Sequence, residues 1–172
     1  RDSDDFDFFK KDEYDTEELV RKLESVFKNH KFLVTLIKKN TVYCEIDDEI
    51  HLSFFSYNYK MMKPLIKTEY FDIASVDDIA CMKLAAASSR TVEKDYVDLY
   101  FISQKIPLKD MIDNCLKKYP VIDESVILKS LLTIHDVERE DIGFTKGNKI
   151  SLEKIGKYLE KSVREYVRQK QL

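Results

Sequence analysis

The sequence predicts an α+β fold that ends in a helical C-terminal portion. Before residue 56, apolar and polar residues alternate with a period of two in several short runs, which is typical of half-buried strands. After residue 74, apolar residues recur every three or four positions, which is typical of amphipathic helices. The 172 residues are enough for one core with a helical appendage. We therefore expect residues 1–104 to form the core and residues 105–172 to form a helical region that packs on it.

The first half of the chain predicts four strands and one helix. The run DDFDFF near the start alternates and is short, so it predicts a strand. Asp15 and Glu18 resemble a capping box at the start of the helical run TEELVRKLESVFKNH. Three runs rich in β-branched and aromatic residues follow at 32–38, 41–46 and 49–55. We expect them to form an antiparallel meander beside the first strand.

The second half predicts helices only. Ser75 is a candidate N-cap for a helix that reaches about Ser89. Further helices are expected at about 92–104, 108–118, 123–135 and 151–169. The last of them carries an apolar stripe at helical spacing, made of Leu152, Ile155, Leu159, Val163 and Tyr166 or Val167.

Composition argues against several classes of protein. With only three glycines, the chain has no Gly-rich phosphate-binding loop. Its three cysteines are far apart and include no Cys-x-x-Cys pair, which argues against structural disulfides and a zinc knuckle. No apolar run approaches the roughly 20 residues of a membrane span. We therefore expect a cytoplasmic protein that has no contact with a membrane.

Paired aspartates near the start are the first candidate site. In a strand, residues two apart point to the same face, so Asp5 and Asp7 project together while Phe6 and Phe8 point to the opposite side and can enter a core. Two neighbouring carboxylates repel each other unless a cation lies between them, and hard oxygen ligands suit Mg²⁺. The pattern indicates either a metal-binding strand or a solvated acidic terminus.

A lysine in an apolar helix is the second candidate site. Lys83 is the only charge in IACMKLAAA, and a helix that is apolar nearly all round is buried, so its ammonium needs a partner. Asp95 and Asp98 lie three residues apart on the next helix, on the side that also carries Leu99. We predict that Lys83 contacts Asp95, with Asp98 or Arg90 nearby. The contact is either part of a functional site or a structural ion pair.

Both candidate sites resemble motifs of one family. The helical motif and the N-terminal strand together resemble the signatures of the AbiEii/AbiGii toxin family of nucleotidyltransferase-like proteins, over about residues 1–103. The helical motif consists of Lys83, Ala86, Arg90, Lys94, Asp95 and Asp98, and the strand motif consists of Arg1, Ser3, Asp5 and Asp7.

The resemblance implies a polymerase-β-type nucleotidyltransferase fold, a mixed sheet with packed helices. It also implies transfer of a nucleotidyl group from an NTP to an acceptor, which is tRNA in some relatives. Family members often act as toxins opposed by a separate antitoxin protein, in systems of the type IV toxin–antitoxin kind. By the same resemblance Asp5 and Asp7 would bind Mg²⁺, and Lys83 would neutralise phosphate charge or orient Asp95. Arg1, Ser3, Arg90 and Asp98 would bind the nucleotide, and all of these residues would converge on one pocket.

This sequence departs from the family pattern in two places. A Gly-Ser turn usually precedes the arginine, whereas the sequence begins at Arg1, so we expect this chain to be a fragment or a trimmed form. Many relatives also carry a third carboxylate on a later strand, where IHLSFF offers only His51 and Ser53. We therefore expect this form to bind Mg-NTP weakly and to transfer nucleotide poorly or not at all. A catalytically silent module that binds a nucleotide or a partner and a purely structural α+β domain remain as alternatives. Exposed side chains in the following loop, Tyr57, Tyr59, Lys60 and Lys63, are either nucleotide contacts or ordinary loop residues.

Overall fold

The computed structural model describes residues 5–170 and divides the chain into two compact units, residues 1–59 and 60–172. It is an α+β protein with a four-stranded mixed sheet and six α-helices in the described residues, as the sequence predicts. The first unit contains β1 (Asp5–Lys10), α1 (Thr16–Val26), β2 (Phe32–Lys38), β3 (Thr41–Ile46) and β4 (Ile50–Ser56). The second contains α2 (Val76–Ala87), α3 (Glu93–Ser103), α4 (Leu108–Lys118), α5 (Glu124–Leu132), a 3-10 turn (Ile134–Asp136) and α6 (Leu152–Lys170).

The strand order in the sheet of the first unit is β1-β4-β3-β2. The predicted antiparallel meander of β2, β3 and β4 is confirmed, and β1 pairs in parallel with β4 at the edge. The β3–β4 turn places both Asp47 and Asp48 at positive φ, 55° and 60°. Two consecutive residues of this kind form the tight hairpin turn whose twist matches that of the flanking strands. The backbone conformation of Asp47 and Asp48 therefore sets the hairpin geometry.

Helix α1 covers one face of the sheet. Asp15 caps its N-terminus by accepting hydrogen bonds from the backbone N–H groups of Glu17 and Glu18. The buried core of this face is Cys44, Ile46 and Leu52, against which Leu23, Phe27, Phe32, Val34 and Phe54 pack. Phe6 and Phe8 point to the same face, yet both stay exposed. The expectation that they enter the core is wrong, because β1 is an edge strand and each ring has a neighbouring strand on one side only, with Leu52 beside Phe6 and Phe54 beside Phe8.

The helices of the second unit pack on one another. Helix α2 contacts α3 and α4, and α6 lies against α3 and α5. On α6 the predicted stripe is confirmed at Ile155, Leu159, Val163 and Tyr166, which are all buried. The division after Tyr59 differs from the boundary at residue 104 expected from the sequence, because α2 and α3 share their buried residues with α4–α6. Within residues 5–170, no helix has the length and apolar character needed to cross a membrane.

Candidate functional site

Asp5 and Asp7 lie on the face of the sheet that α1 does not cover. Strand β1 holds them two residues apart, in register with His51 and Ser53 of β4. Directly paired residues on neighbouring strands point to the same face, so the two carboxylates share it with these polar side chains. We call this surface the carboxylate face: Asp5, Asp7 and Phe9 on β1, His51, Ser53 and Phe55 on β4, and Tyr43 and Glu45 on β3.

Glu45 is a further carboxylate on this face. It lies within β3 and pairs in register with His51. Its Oε1 is 3.6 Å from Nδ1 of His51. One row of side chains therefore crosses β1, β4 and β3 and consists of Asp5, His51 and Glu45. The place of Glu45 beside His51 follows from the register of β3 with β4, which the sequence alone does not provide.

The donor set of the carboxylate face fits Mg²⁺. Two exposed carboxylates stand on one face, and this cation often takes only one or two protein carboxylates, with the remaining ligands from water and phosphate. Among residues 5–170 no group of three or more His, Cys, Asp or Glu side chains is arranged to hold a metal ion. Asp5 and Asp7 would therefore hold the ion together with the substrate's own oxygen atoms.

The predicted contact between Lys83 and Asp95 is confirmed. The ammonium of Lys83 lies 2.9 Å from Oδ1 of Asp95 and 2.8 Å from Oδ2 of Asp98. Arg90 follows α2 and donates from Nε to Oδ2 of Asp95 at 2.8 Å and from a terminal nitrogen to Oδ1 at 3.3 Å. Helix α2 and the segment after it thus place two cations on one buried carboxylate of α3. We call these four residues the Asp95 cluster.

Burial differs sharply within the Asp95 cluster. The side chain of Asp95 is 0% exposed, whereas those of Lys83, Asp98 and Arg90 are 20%, 21% and 53% exposed. Burial by itself raises the pKa of Asp95, but hydrogen bonds from Arg90 and Lys83 and their positive charges outweigh it, so the pKa lies below its ordinary value. Asp95 is held ionised, and Arg90 is the most exposed cation of the cluster.

The remaining predicted site residues fall in two places. Arg90 and Asp98 belong to the Asp95 cluster, as expected. Arg1 and Ser3 lie outside the described residues 5–170. Of the loop residues, Tyr59 is exposed and Tyr57 is partly buried against the ring of Phe9.

A second buried ion pair in the helical unit escaped the sequence argument. Nζ of Lys118 lies 2.6 Å from Oδ1 of Asp78, and both side chains are fully buried. Asp78 also accepts from Ser75 Oγ and from the backbone N–H groups of Met62 and Lys63. Burial raises the pKa of Asp78, but the hydrogen bonds from Lys118, Met62, Ser75 and Lys63 outweigh it and lower the pKa overall.

The pair was missed because each residue sits at a helix end beside a second like charge. Asp77 precedes Asp78 in the first turn of α2, and Lys117 precedes Lys118 in the last turn of α4. Charges of these signs are favourable at those helix ends even in water, so their position in the sequence does not indicate burial.

Together these features define the class of protein: an α+β chain with paired aspartates on an open sheet face in one unit and a buried carboxylate held by two cations in the other. A relative in Aquifex aeolicus (strain VF5), the uncharacterized protein aq_aa25, is 34% identical over 144 residues, which cover 80% of this chain and 68% of the relative. The chain belongs to the same protein family as aq_aa25. The crystal structure of JHP933 from Helicobacter pylori aligns with 99% of this chain and 82% of its own, with a TM-score of 0.45 and 16% identical residues. No protein-family model matches the chain.

Proposed function

We propose that this protein is a nucleotidyltransferase of the polymerase-β type that transfers a nucleotidyl group from an NTP to an acceptor. The observation that carries the proposal is the carboxylate face, where Asp5 and Asp7 present hard oxygen donors side by side on an exposed strand. The resemblance of the strand and helical motifs to the AbiEii/AbiGii toxin family adds the reaction class. It also adds tRNA or another RNA as an acceptor, and a separate antitoxin protein as a partner.

The chemistry fits these residues. In the transfer, the acceptor oxygen bonds to the α-phosphorus, the bond to pyrophosphate breaks, pyrophosphate leaves with the electron pair, and the acceptor proton passes to water. Such reactions depend mainly on positioning and on stabilising negative charge. A magnesium ion, when bound, neutralises charge on the triphosphate. Asp5 and Asp7 would hold that ion through their exposed carboxylates. In the helical unit, the half-exposed guanidinium of Arg90 is the cation that the resemblance assigns to nucleotide binding.

Lys83 has a narrower role in this proposal. Two carboxylates already engage its ammonium, at 2.9 and 2.8 Å. It therefore positions Asp95 and Asp98 rather than carrying phosphate charge itself. Asp95, held ionised and fully buried, in turn fixes the guanidinium of Arg90 through two hydrogen bonds. On this view the Asp95 cluster is a positioning device whose outward-facing member is Arg90.

A structural role is the second candidate function, and the charge balance of the Asp95 cluster favours it. Two cations and two carboxylates neutralise each other there, so the cluster satisfies itself without a ligand. A catalytically silent module, which binds nucleotide without transferring it, is a third alternative. Activity and binding measurements separate all three.

The test is transfer of labelled NTPs to a pool of cellular RNA and protein, with Mg²⁺ present, by the chain extended before Arg1 with a Gly-Ser segment of the kind found in the AbiEii/AbiGii family. Asp5→Asn, Asp7→Asn and Arg90→Met are expected to abolish labelling or reduce it by about 100-fold or more, as for loss of a charge-stabilising group. Asp12→Asn and Lys129→Met are matched controls, because they remove an exposed acid and an exposed base elsewhere in the two units. Equal labelling by all variants would place the chemistry elsewhere. Binding of Mg-NTP without labelling would select the silent module.

A further inference from the structure

The carboxylate face continues into a series of five aromatic rings. Phe9 stacks on Phe55 with 5.6 Å between ring centroids, and Tyr43 meets Phe55 edge to face at 5.5 Å. On the other side, Phe9 meets Tyr57 edge to face at 5.2 Å, and Tyr57 contacts Tyr59 at 5.3 Å. We call Tyr43, Phe55, Phe9, Tyr57 and Tyr59 the aromatic row. It belongs wholly to the first unit.

Backbone geometry fixes the aromatic row next to the paired aspartates. Phe9 follows Asp7 by two residues on β1, so the two side chains share a face and start about 7 Å apart. Phe55 is likewise two residues beyond Ser53, the register partner of Asp7. The backbone N–H of Tyr57 donates to the carbonyl of Lys10 at 2.7 Å, which extends the β1–β4 pairing beyond the ends of both strands. The backbone of Tyr57 is therefore fixed by its hydrogen bond to β1, although Tyr57 lies beyond the end of β4.

Parts of the aromatic row face solvent. The side chains of Phe9 and Tyr59 are 42% and 47% exposed. The opposite face of β1 also bears a stacked pair, Phe8 on Phe54 at 5.1 Å, but no carboxylate of β1 points there. Aromatic contacts across strands stabilise a sheet on either face. Only on the carboxylate face do they lie beside the side chains that would hold a metal-bound triphosphate.

We propose that Phe9 and Tyr57 form a stacking subsite for the nucleobase of the NTP whose phosphates face Asp5 and Asp7. This inference rests on the proposed function and names the subsite that takes the base. Aromatic side chains stack on any nucleobase, because every base has a π-face. The subsite therefore contributes affinity for a nucleotide over a bare triphosphate and gives little preference among the four bases.

The experiment compares Mg²⁺-dependent binding of ATP, GTP, CTP and UTP with that of inorganic tripolyphosphate, by isothermal titration calorimetry on the full chain. The wild-type protein is expected to bind every NTP more tightly than tripolyphosphate. Phe9→Leu and Tyr57→Leu should each reduce this preference by about 5- to 150-fold, the range for loss of one stacked base. Affinity for tripolyphosphate itself should stay within about twofold, because it has no base to stack.

Phe8→Leu is the matched control. It makes the same substitution one residue before Phe9 in β1, on the opposite face, and should leave the preference for NTPs unchanged. Thermal unfolding of each variant, followed by circular dichroism, confirms that the compared proteins are folded. A preference that survives both Phe9→Leu and Tyr57→Leu, or equal affinity of the wild type for NTPs and tripolyphosphate, would overturn the stacking subsite and leave the nucleotidyltransferase proposal standing. Absence of Mg²⁺-dependent binding of every probe would overturn both.

Discussion

At the scale of single residues, Asp95 shows how a buried charge is kept ionised. Its carboxylate is fully buried and would be costly there without partners. Lys83 and Arg90 approach it from two sides, each with a hydrogen bond to a different oxygen at 2.9 and 2.8 Å. If either cation is removed, Asp95 keeps the other as a charged partner. The two are therefore partly redundant, and their energetic contributions should not add.

We predict that Lys83→Met and Arg90→Met together destabilise the protein more than the sum of the single changes. Each single variant leaves Asp95 one cation, whereas the double variant leaves a buried carboxylate without either, a change that typically costs about 3–5 kcal/mol. The free energy of unfolding from urea titration at pH 7 measures the coupling. Strictly additive losses would show that Asp95 does not depend on this pair.

The pH dependence of the same variants gives an independent check. In the wild type the lowered pKa of Asp95 adds stability above its unfolded pKa of about 3.9, and this is lost as pH falls through the folded pKa. In the double variant burial alone acts on Asp95 and raises its pKa. The folded state then favours the protonated form of Asp95. The difference in free energy of unfolding between wild type and double variant should therefore be largest at pH 7 and shrink as the pH approaches 4. A deficit that does not change with pH would contradict this assignment.

At the scale of secondary-structure elements, the Asp78–Lys118 pair joins three parts of the helical unit. Asp78 lies in the first turn of α2, Lys118 in the last turn of α4, and the backbone of Met62 and Lys63 donates to the same carboxylate. Lys118 also donates to the carbonyl of Lys60 at 3.2 Å. One buried ion pair therefore fixes the segment before α2 against two helices.

We predict that Lys118→Met lowers the free energy of unfolding by about 3–5 kcal/mol, because it leaves the buried Asp78 without its cation. The double variant Lys118→Met/Asp78→Asn should lose less free energy of unfolding than Lys118→Met alone, since the asparagine removes the uncompensated charge. The control is Lys117→Met, the same change at the exposed neighbouring position, expected to stay within about 0.5 kcal/mol of wild type. Guanidinium titrations of the three variants measure these differences. A double variant less stable than Lys118→Met would refute the explanation.

The contrast between the two buried pairs shows what the sequence can and cannot predict. Lys83 was predictable because a single charge in the middle of an apolar helix has no solvated alternative. Asp78 and Lys118 were not, because helix ends accept such charges in water as readily as in a core. Local periodicity likewise predicted β1 and the meander, but the parallel pairing of β1 with β4 and the exposure of Phe6 depend on long-range order. Placing Glu45 on the carboxylate face likewise requires the register between β3 and β4, which is long-range information.

At the scale of the whole molecule, the buried core is unevenly divided between the two units. Among the described residues, the buried hydrophobic side chains of the first unit are Val42, Cys44, Ile46 and Leu52. The helical unit buries large side chains from each of its helices, among them Leu84, Tyr96, Ile112, Ile127 and Leu159. A segment of about 60 residues buries a smaller share of its surface than a larger one and is correspondingly marginal. The two units should therefore differ in their ability to fold alone.

We predict that residues 60–172 fold cooperatively when expressed by themselves, whereas residues 1–59 do not reach a stable fold. The physical reason is that the helical fragment keeps its core, both buried ion pairs and the stripe of α6, while the sheet fragment keeps only a four-residue buried core. Far-UV circular dichroism with urea titration measures both fragments. In the helical fragment, Lys118→Met should cost as much as in the full chain, because every partner of Lys118 named above lies within residues 60–172. A helical fragment that melts without a cooperative transition would show that its core depends on residues 1–59.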